Sequence, residues 1–194
     1  LYVETDDCSI VMDPWLVGSC YWRSWWNYPP PSKELVASVK PDYVYLTHLH
    51  WDHFHGPSLR RFDRSTTILV PEAHFDRMVV DLNSIGFDNV IEIPHAGSVS
   101  LGGKTTLTSY QFGFALDSVA VVTDGEKTLV NANDCKIMGA PLRQLTKRHP
   151  KVDFLFRSHS SASAFPFCVT SYNPDHLTVR PPERYMQEFL AFAN

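Results

Sequence analysis

Apolar positions along this chain come in short runs broken by Gly, Pro, Asn and Asp, the punctuation of strands and turns rather than of long helices. Residues 1–5 and 8–12 read as two strands joined at Asp6-Asp7, which predicts a hairpin. Tyr43-Val44-Tyr45-Leu46-Thr47 is a continuous apolar run of the kind that marks a buried strand. Further strands are expected at 67–70, 90–93, 105–112, 118–123 and 128–131, with Asp124-Gly125 as the turn between the last two. Gly102-Gly103 reads as another hairpin turn, and 152–156 as a late strand.

Helical spacing is rarer. Ser32 can cap a helix over 33–39 that stops before Pro41. Gly56-Pro57 opens a brief helix to about Phe62. From Pro71, the residues Phe75, Met78, Val79, Leu82 and Ile85 form one stripe, with Gly86 at the stop. Helices are also expected near 141–148 and from about 182. This mixture of strands, hairpins and helices predicts a layered α/β domain, with sheet inside and helices outside.

Composition narrows this modestly. A length of 194 residues suits one domain over 1–194, and 44% hydrophobic with 20% charged residues is an ordinary globular balance. A net charge of −4 argues against a broad surface for duplex nucleic acid. No apolar run approaches the ~20 residues of a membrane span, and no leader is visible at Leu1-Tyr2-Val3. Cys8, Cys20, Cys135 and Cys168 form no C-x-x-C pair, so a cytoplasmic protein with reduced thiols is expected.

The chemistry concentrates in His48-Leu49-His50-Trp51-Asp52-His53, directly after the 43–47 run. Imidazole nitrogens and carboxylate oxygens are donors that zinc, iron and manganese accept, and a loop at a strand end can aim several at one point. His48 and His50 can share one metal. Asp52 and His53 can serve an adjacent second metal, or Asp52 can stay free as a base. Asp134, at the end of the 128–131 strand, is the candidate bridging carboxylate, with an Asx turn or helix cap as its alternative. His159 follows the strand Phe154-Leu155-Phe156 and is a further candidate ligand. His55 is expected to be an exposed loop residue, or to orient His53. His74, His95, His149 and His176 are expected at the surface or in turns. Neither a G-x-S-x-G elbow nor a phosphate-binding Gly loop competes.

The H-x-H-x-D-H motif, with Asp13-Pro14-Trp15-Leu16 before it and Asn131-x-x-Asp134-Cys135 after it, resembles the signature of the metallo-β-lactamase fold superfamily. The Trp-Trp and Pro-rich loop, together with Ser161-Ala162-Ser163-Ala164-Phe165-Pro166, is similar to the branch containing the CMP-N-acetylneuraminate hydroxylase domain and N-acyl-phosphatidylethanolamine phospholipase D. The resemblance implies an αβ/βα sandwich, here short of its terminal strands. It implies a hydrolase acting on an ester, amide or phosphodiester through a metal-bound hydroxide. One or two zinc ions, or iron or manganese, would be held by His48, His50, Asp52, His53, Asp134 and His159, with Asp52 or Asp134 as proton acceptor. The hydroxylase similarity implies the alternative of an iron-dependent oxygenase. This sequence carries no Cys/His pattern for an iron–sulfur cluster, so its electron donor would be a separate chain.

Two further features bear on the site, the first of them a departure from the family pattern. The stretch where a third histidine would stand has none, and Gln111 is nearest to that place, which leaves a degenerate metal-binding module as a further alternative. Residues 15–31 hold Trp15, Trp22, Trp25 and Trp26, which would overhang the metal face and grip a small-molecule or lipid-like substrate, with Gln111 beside them, or pack back as a flap. A sheet edge without its terminal strands would favour a homo-oligomer.

Overall fold

In the computed structural model, which describes residues 1–113, 117–158 and 182–193, two five-stranded sheets face one another. The first has the order β1-β2-β5-β6-β7 and is built from Tyr2–Glu4, Ser9–Met12, Tyr43–Tyr45, Thr67–Pro71 and Val90–Ile93. Its first pair is the expected antiparallel hairpin, and the remaining pairs are parallel. The second has the order β12-β11-β10-β9-β8, from Phe154–Arg157, Thr128–Asn133, Asp117–Thr123, Thr105–Phe112 and Ser98–Gly102. It is antiparallel except for the β11–β12 pair. A two-stranded ribbon, β3 (Ser19–Cys20) with β4 (Trp25–Trp26), stands apart.

Side-chain alternation sorts the layers. Ile10, Met12, Tyr45, Leu69 and Ile93 meet Leu101, Leu107, Ala120 and Val122 between the sheets. The intervening residues Val11, Val44, Leu46, Ile68 and Val70 face outward. They are covered by Leu59 of α2 (Gly56–Leu59) and by Met78 and Leu82 of α3 (Arg77–Ser84). Tyr110, Val119, Val121 and Val130 are covered by Leu145 of α4 (Gly139–Arg148) and Phe192 of α5 (Pro182–Ala193). Strands buried on both faces must read as continuous apolar runs, which is why the period-2 signal was weak in the sequence. The product is an αβ/βα sandwich.

One expectation shifts, one strand is added and one cap stands. The helix expected from Pro71 begins only at Arg77, because Pro71 closes β6 in register with Ile93. Phe75 therefore lies outside the helix and is 75% exposed. The strand Ser98–Gly102 did not announce itself, three of its five residues being Ser or Gly, although the Gly102-Gly103 turn did. The cap at Ser32 stands: its side chain accepts from Leu35 N at the start of α1 (Lys33–Ser38).

Candidate metal centre

β2 and β5 end side by side, and this places Asp13 beneath the histidine loop. Asp13 N donates to the Tyr45 carbonyl, and its carboxylate accepts from Thr47 N at 2.8 Å and Thr47 Oγ1 at 2.7 Å. Its Oδ2 also lies 2.8 Å from His53 Nδ1. Asp13 adopts φ +47°, a left-handed conformation that Asp and Asn tolerate best among non-glycine residues.

These contacts fix tautomers. Thr47 Oγ1 gives its proton to Asp13 and so accepts from His48 Nδ1, 3.0 Å away. His53 Nδ1 donates to Asp13. Both rings thereby turn Nε2 toward Asp134, whose Oδ1 is 3.7 Å from each. His50 Nδ1 approaches His48 Nε2 at 2.7 Å, and His53 Nε2 faces Asp52 Oδ2 at 3.4 Å. Donor atoms of His48, His50 and Asp134 all lie within 4.8 Å of one another. Two donor sets thus adjoin at Asp134: His48 with His50, and His53 with Asp52.

Asp134 is aimed by the turn before it. Asn133, at φ +42°, accepts from Asp134 N at 2.8 Å and Cys135 N at 3.2 Å, and donates to the Ser118 carbonyl. The Asx turn belongs to Asn133, so the Asp134 carboxylate is free for other work. Its Oδ1 is buried with no hydrogen-bond partner, a costly state for a carboxylate oxygen beside two ring nitrogens. A cation among these donors would satisfy it, and the N/O set is what zinc, iron or manganese accepts.

The electrostatics agree. Burial opposes a charge on His53, but the bond to Asp13 and the charges of Asp13, Asp134 and Asp52 outweigh it and raise its pKa to about 9. Burial and the neighbouring His53 lower His48, which keeps its Nε2 lone pair available. A metal ion would take the place of the extra His53 proton.

The ribbon clamps onto this loop. Tyr21 OH donates to Asp52 Oδ1 at 2.7 Å, and Cys20 Sγ donates to the Trp51 carbonyl at 3.2 Å. Desolvation, then the Asp52 charge, lifts the Cys20 thiol to about 11, so it stays protonated. Tyr21, Trp22 and Arg23 are all left-handed, with φ of 49°, 55° and 69°. The clamp bonds and the Ser24 hydroxyl on the Tyr21 carbonyl hold that uncommon turn.

Other expected residues fall elsewhere. His159, with Cys168, His176 and Ser161–Pro166, lies outside the described residues. Gln111 does not join the cluster: its Nε2 donates to the Glu72 and Ile93 carbonyls, tying off the ends of β6 and β7. His55 is buried rather than exposed, and bonds Ser58 at 2.8 Å instead of His53. His149 reaches Tyr110 OH at 3.1 Å, and His95 reaches Gln144 at 3.1 Å. Trp15 leans on His55, Trp25 on Tyr21, and Trp22 on Trp51, while Trp22 and Trp26 are largely exposed. Asp117 starts β10, and its Oδ1 is also buried without a partner. Sequence reasoning did not single out Asp13, Thr47, Tyr21 or Asn133 as site residues. Of these, only Asp13 had a signal, its place before Pro14 in the resemblance.

The four layers, with the histidine loop at the strand ends, make a metallo-β-lactamase-like αβ/βα fold. No family model matches the chain. In sequence it is 29% identical over 174 residues to the "Putative Rieske 2Fe-2S iron-sulfur protein" of Mycobacterium tuberculosis, across 84% of this chain and 33% of that protein. It is 33% identical over 97 residues to the cytidine monophosphate-N-acetylneuraminic acid hydroxylase of Mus musculus, across 47% of this chain and 17% of the hydroxylase. The chain spans about a third or less of these relatives. Among solved structures it is similar to CmlA, a diiron β-hydroxylase from Streptomyces venezuelae, with TM-score 0.54 and 19% identity over 76% of this chain and 30% of that one. It is also similar to an isothiocyanate hydrolase from Delia radicum gut bacteria, with TM-score 0.58 and 19% identity over 77% and 64%. Both likenesses concern the fold. Among the described residues, no helix is long and apolar enough to cross a membrane.

Proposed function

We propose that this chain is a metal-dependent hydrolase acting on an ester, amide or phosphodiester of a small or lipid-like molecule. The observation that carries this is the orphaned Asp134 Oδ1, 3.7 Å from both His48 Nε2 and His53 Nε2. His48, His50 and Asp134 would hold one ion, and His53 with Asp52 would hold a second beside it. A bound zinc, or iron or manganese, lowers the pKa of water and polarises a carbonyl or phosphoryl group. The protein's own contribution is orientation and proton handling. Asp13 and Thr47 keep the Nε2 lone pairs of His53 and His48 facing the centre. Tyr21 occupies Asp52 Oδ1 and leaves Oδ2 toward His53, so Asp52 or Asp134 is placed to accept a proton from water.

A second reading, iron-dependent oxygenation, is favoured by the names of the sequence relatives, which are iron–sulfur and hydroxylase proteins. Its electron donor would lie on another chain or elsewhere in a longer protein. A panel of chromogenic esters, anilides and phosphodiesters, assayed with metal-replete and chelated protein, tests the first reading. Turnover lost on chelation and restored by zinc supports it. Absent turnover, with iron and visible absorption in the isolated protein, overturns it in favour of the second.

A further inference from the structure

Beside the centre, the β3–β4 ribbon, the histidine loop and α2 enclose a hollow of about 520 Å³. That volume lies within the range of small-molecule sites. Trp22, Trp51 and Phe54 form apolar walls, although Trp22 is 85% and Trp51 46% exposed. Neighbouring large apolar rings left in water usually mark a surface that something covers. Trp22 meets Trp51 edge-on at 4.9 Å, and Tyr21 stacks on Trp51 at 5.6 Å with a 17° tilt. The result is an open aromatic corner.

The charges in the same hollow are unbalanced. Arg23 and Arg60 both line it, and neither guanidinium has an ion-pair or hydrogen-bond partner among the described residues. The wall carboxylate, Asp81, is occupied by Arg77 Nε at 2.7 Å. His55 is engaged within its own loop, its Nδ1 lying 2.8 Å from Ser58 Oγ. Gly56 leaves room for Arg60, whose Nη1 would lie 3.1 Å from a Cβ at that position. Guanidinium forks match carboxylate and phosphate oxygens, and indole rings match planar apolar groups.

We propose that this hollow is a ligand subsite for a planar ring carrying an oxyanion, either a carboxylate or a phosphate monoester. The ring lies against Trp22 and Trp51, and the anionic group is held by Arg23 and Arg60. Tyr21 belongs to both places: it lines the hollow and donates to Asp52, so a bound ring stands one side chain from the metal centre. The subsite's role in selecting substrate rests on the hydrolase reading; its ability to bind does not.

Isothermal titration of naphthalene-2-carboxylate and naphthalene-2-phosphonate, against neutral naphthalene-2-carboxamide and non-planar cyclohexanecarboxylate, tests this. At least one naphthyl anion should bind about tenfold or more tightly than both controls, as charge-assisted hydrogen bonds allow, and the two anions together tell carboxylate from phosphate preference. R23Q/R60Q should reduce the anions to the level of the amide, and Trp22→Ala should weaken all three naphthyl ligands. Equal affinity for anion and amide, absence of saturable binding, or a preference that survives in folded R23Q/R60Q overturns the proposal. If the variants do not fold, the four-ligand comparison on the unaltered protein decides. The titrations are run on chelated and metal-replete protein. Binding without metal-dependent turnover refutes the hydrolase reading alone; turnover without binding refutes the subsite alone.

Discussion

Asp13→Asn isolates the support beneath the proposed metal ligands. The wild-type carboxylate accepts three hydrogen bonds, from Thr47 N, Thr47 Oγ1 and His53 Nδ1, at 2.7 to 2.8 Å. Asparagine preserves the shape and is at ease at φ +47°, so backbone strain does not confound the result. It brings one oxygen and one NH2 where two acceptors stood. With Oδ1 kept on Thr47 N, the amide nitrogen faces His53 Nδ1 and turns it from donor to acceptor. The neutral ring then carries its proton on Nε2, the atom aimed at Asp134 and Asp52. A metal must displace that proton, so affinity for the ion that His53 would hold should fall about 10- to 100-fold. Folding stability of the chelated variant should fall by about 1.5–3 kcal/mol, the range for hydrogen bonds to a charged group. Competition of zinc against a chromophoric chelator at pH 7.5 reads the first quantity, and urea unfolding reads the second. Zinc affinity within about twofold of wild type, in a folded variant, would refute the tautomer argument.

Chelated protein should lose stability as pH rises. The His53 pKa of about 9 stands above its unfolded value of 6.5, so the protonated form contributes fully below pH 6.5 and its contribution disappears through pH 9. The difference corresponds to roughly 3 kcal/mol; urea midpoints at pH 6 and pH 9.5 should show this loss in wild type and much less of it in His53→Gln. Tyr45→Phe removes a buried hydroxyl bonded to Ser109 Oγ at 2.9 Å and Ser118 Oγ at 2.7 Å, across the two sheets. Thermal melting should show a loss of about 1–3 kcal/mol, because the serines keep fewer partners; an unchanged melting temperature would argue against that inter-sheet link.

Strands and site were legible to different depths. Residues 118–123 and 128–131 announced β10 and β11 because both faces of those strands are covered. The start of α3 was misplaced because Pro71 suits a strand end as well as a helix start, and only its pairing with Ile93 decides between them. His48, His50, Asp52 and His53 stood out because such donors rarely crowd together by chance. The residues that orient them were harder to see. Asp13 lies 40 positions from His53, and Tyr21 lies 31 from Asp52. Contacts at that separation are made by sheet register and the ribbon's turn, which no local pattern encodes. Gln111 misled for the converse reason: its place in the sequence is beside the centre, yet its amide is consumed by the carbonyls of Glu72 and Ile93.

The account depends on these donors capturing a cation. Elemental analysis by mass spectrometry, on protein purified without added metal and on folded H48A/H50A prepared identically, tests it most directly. The account predicts one or two ions of zinc, iron or manganese per wild-type chain, and loss of most of them in the double variant. Equal metal content in the two proteins would contradict it.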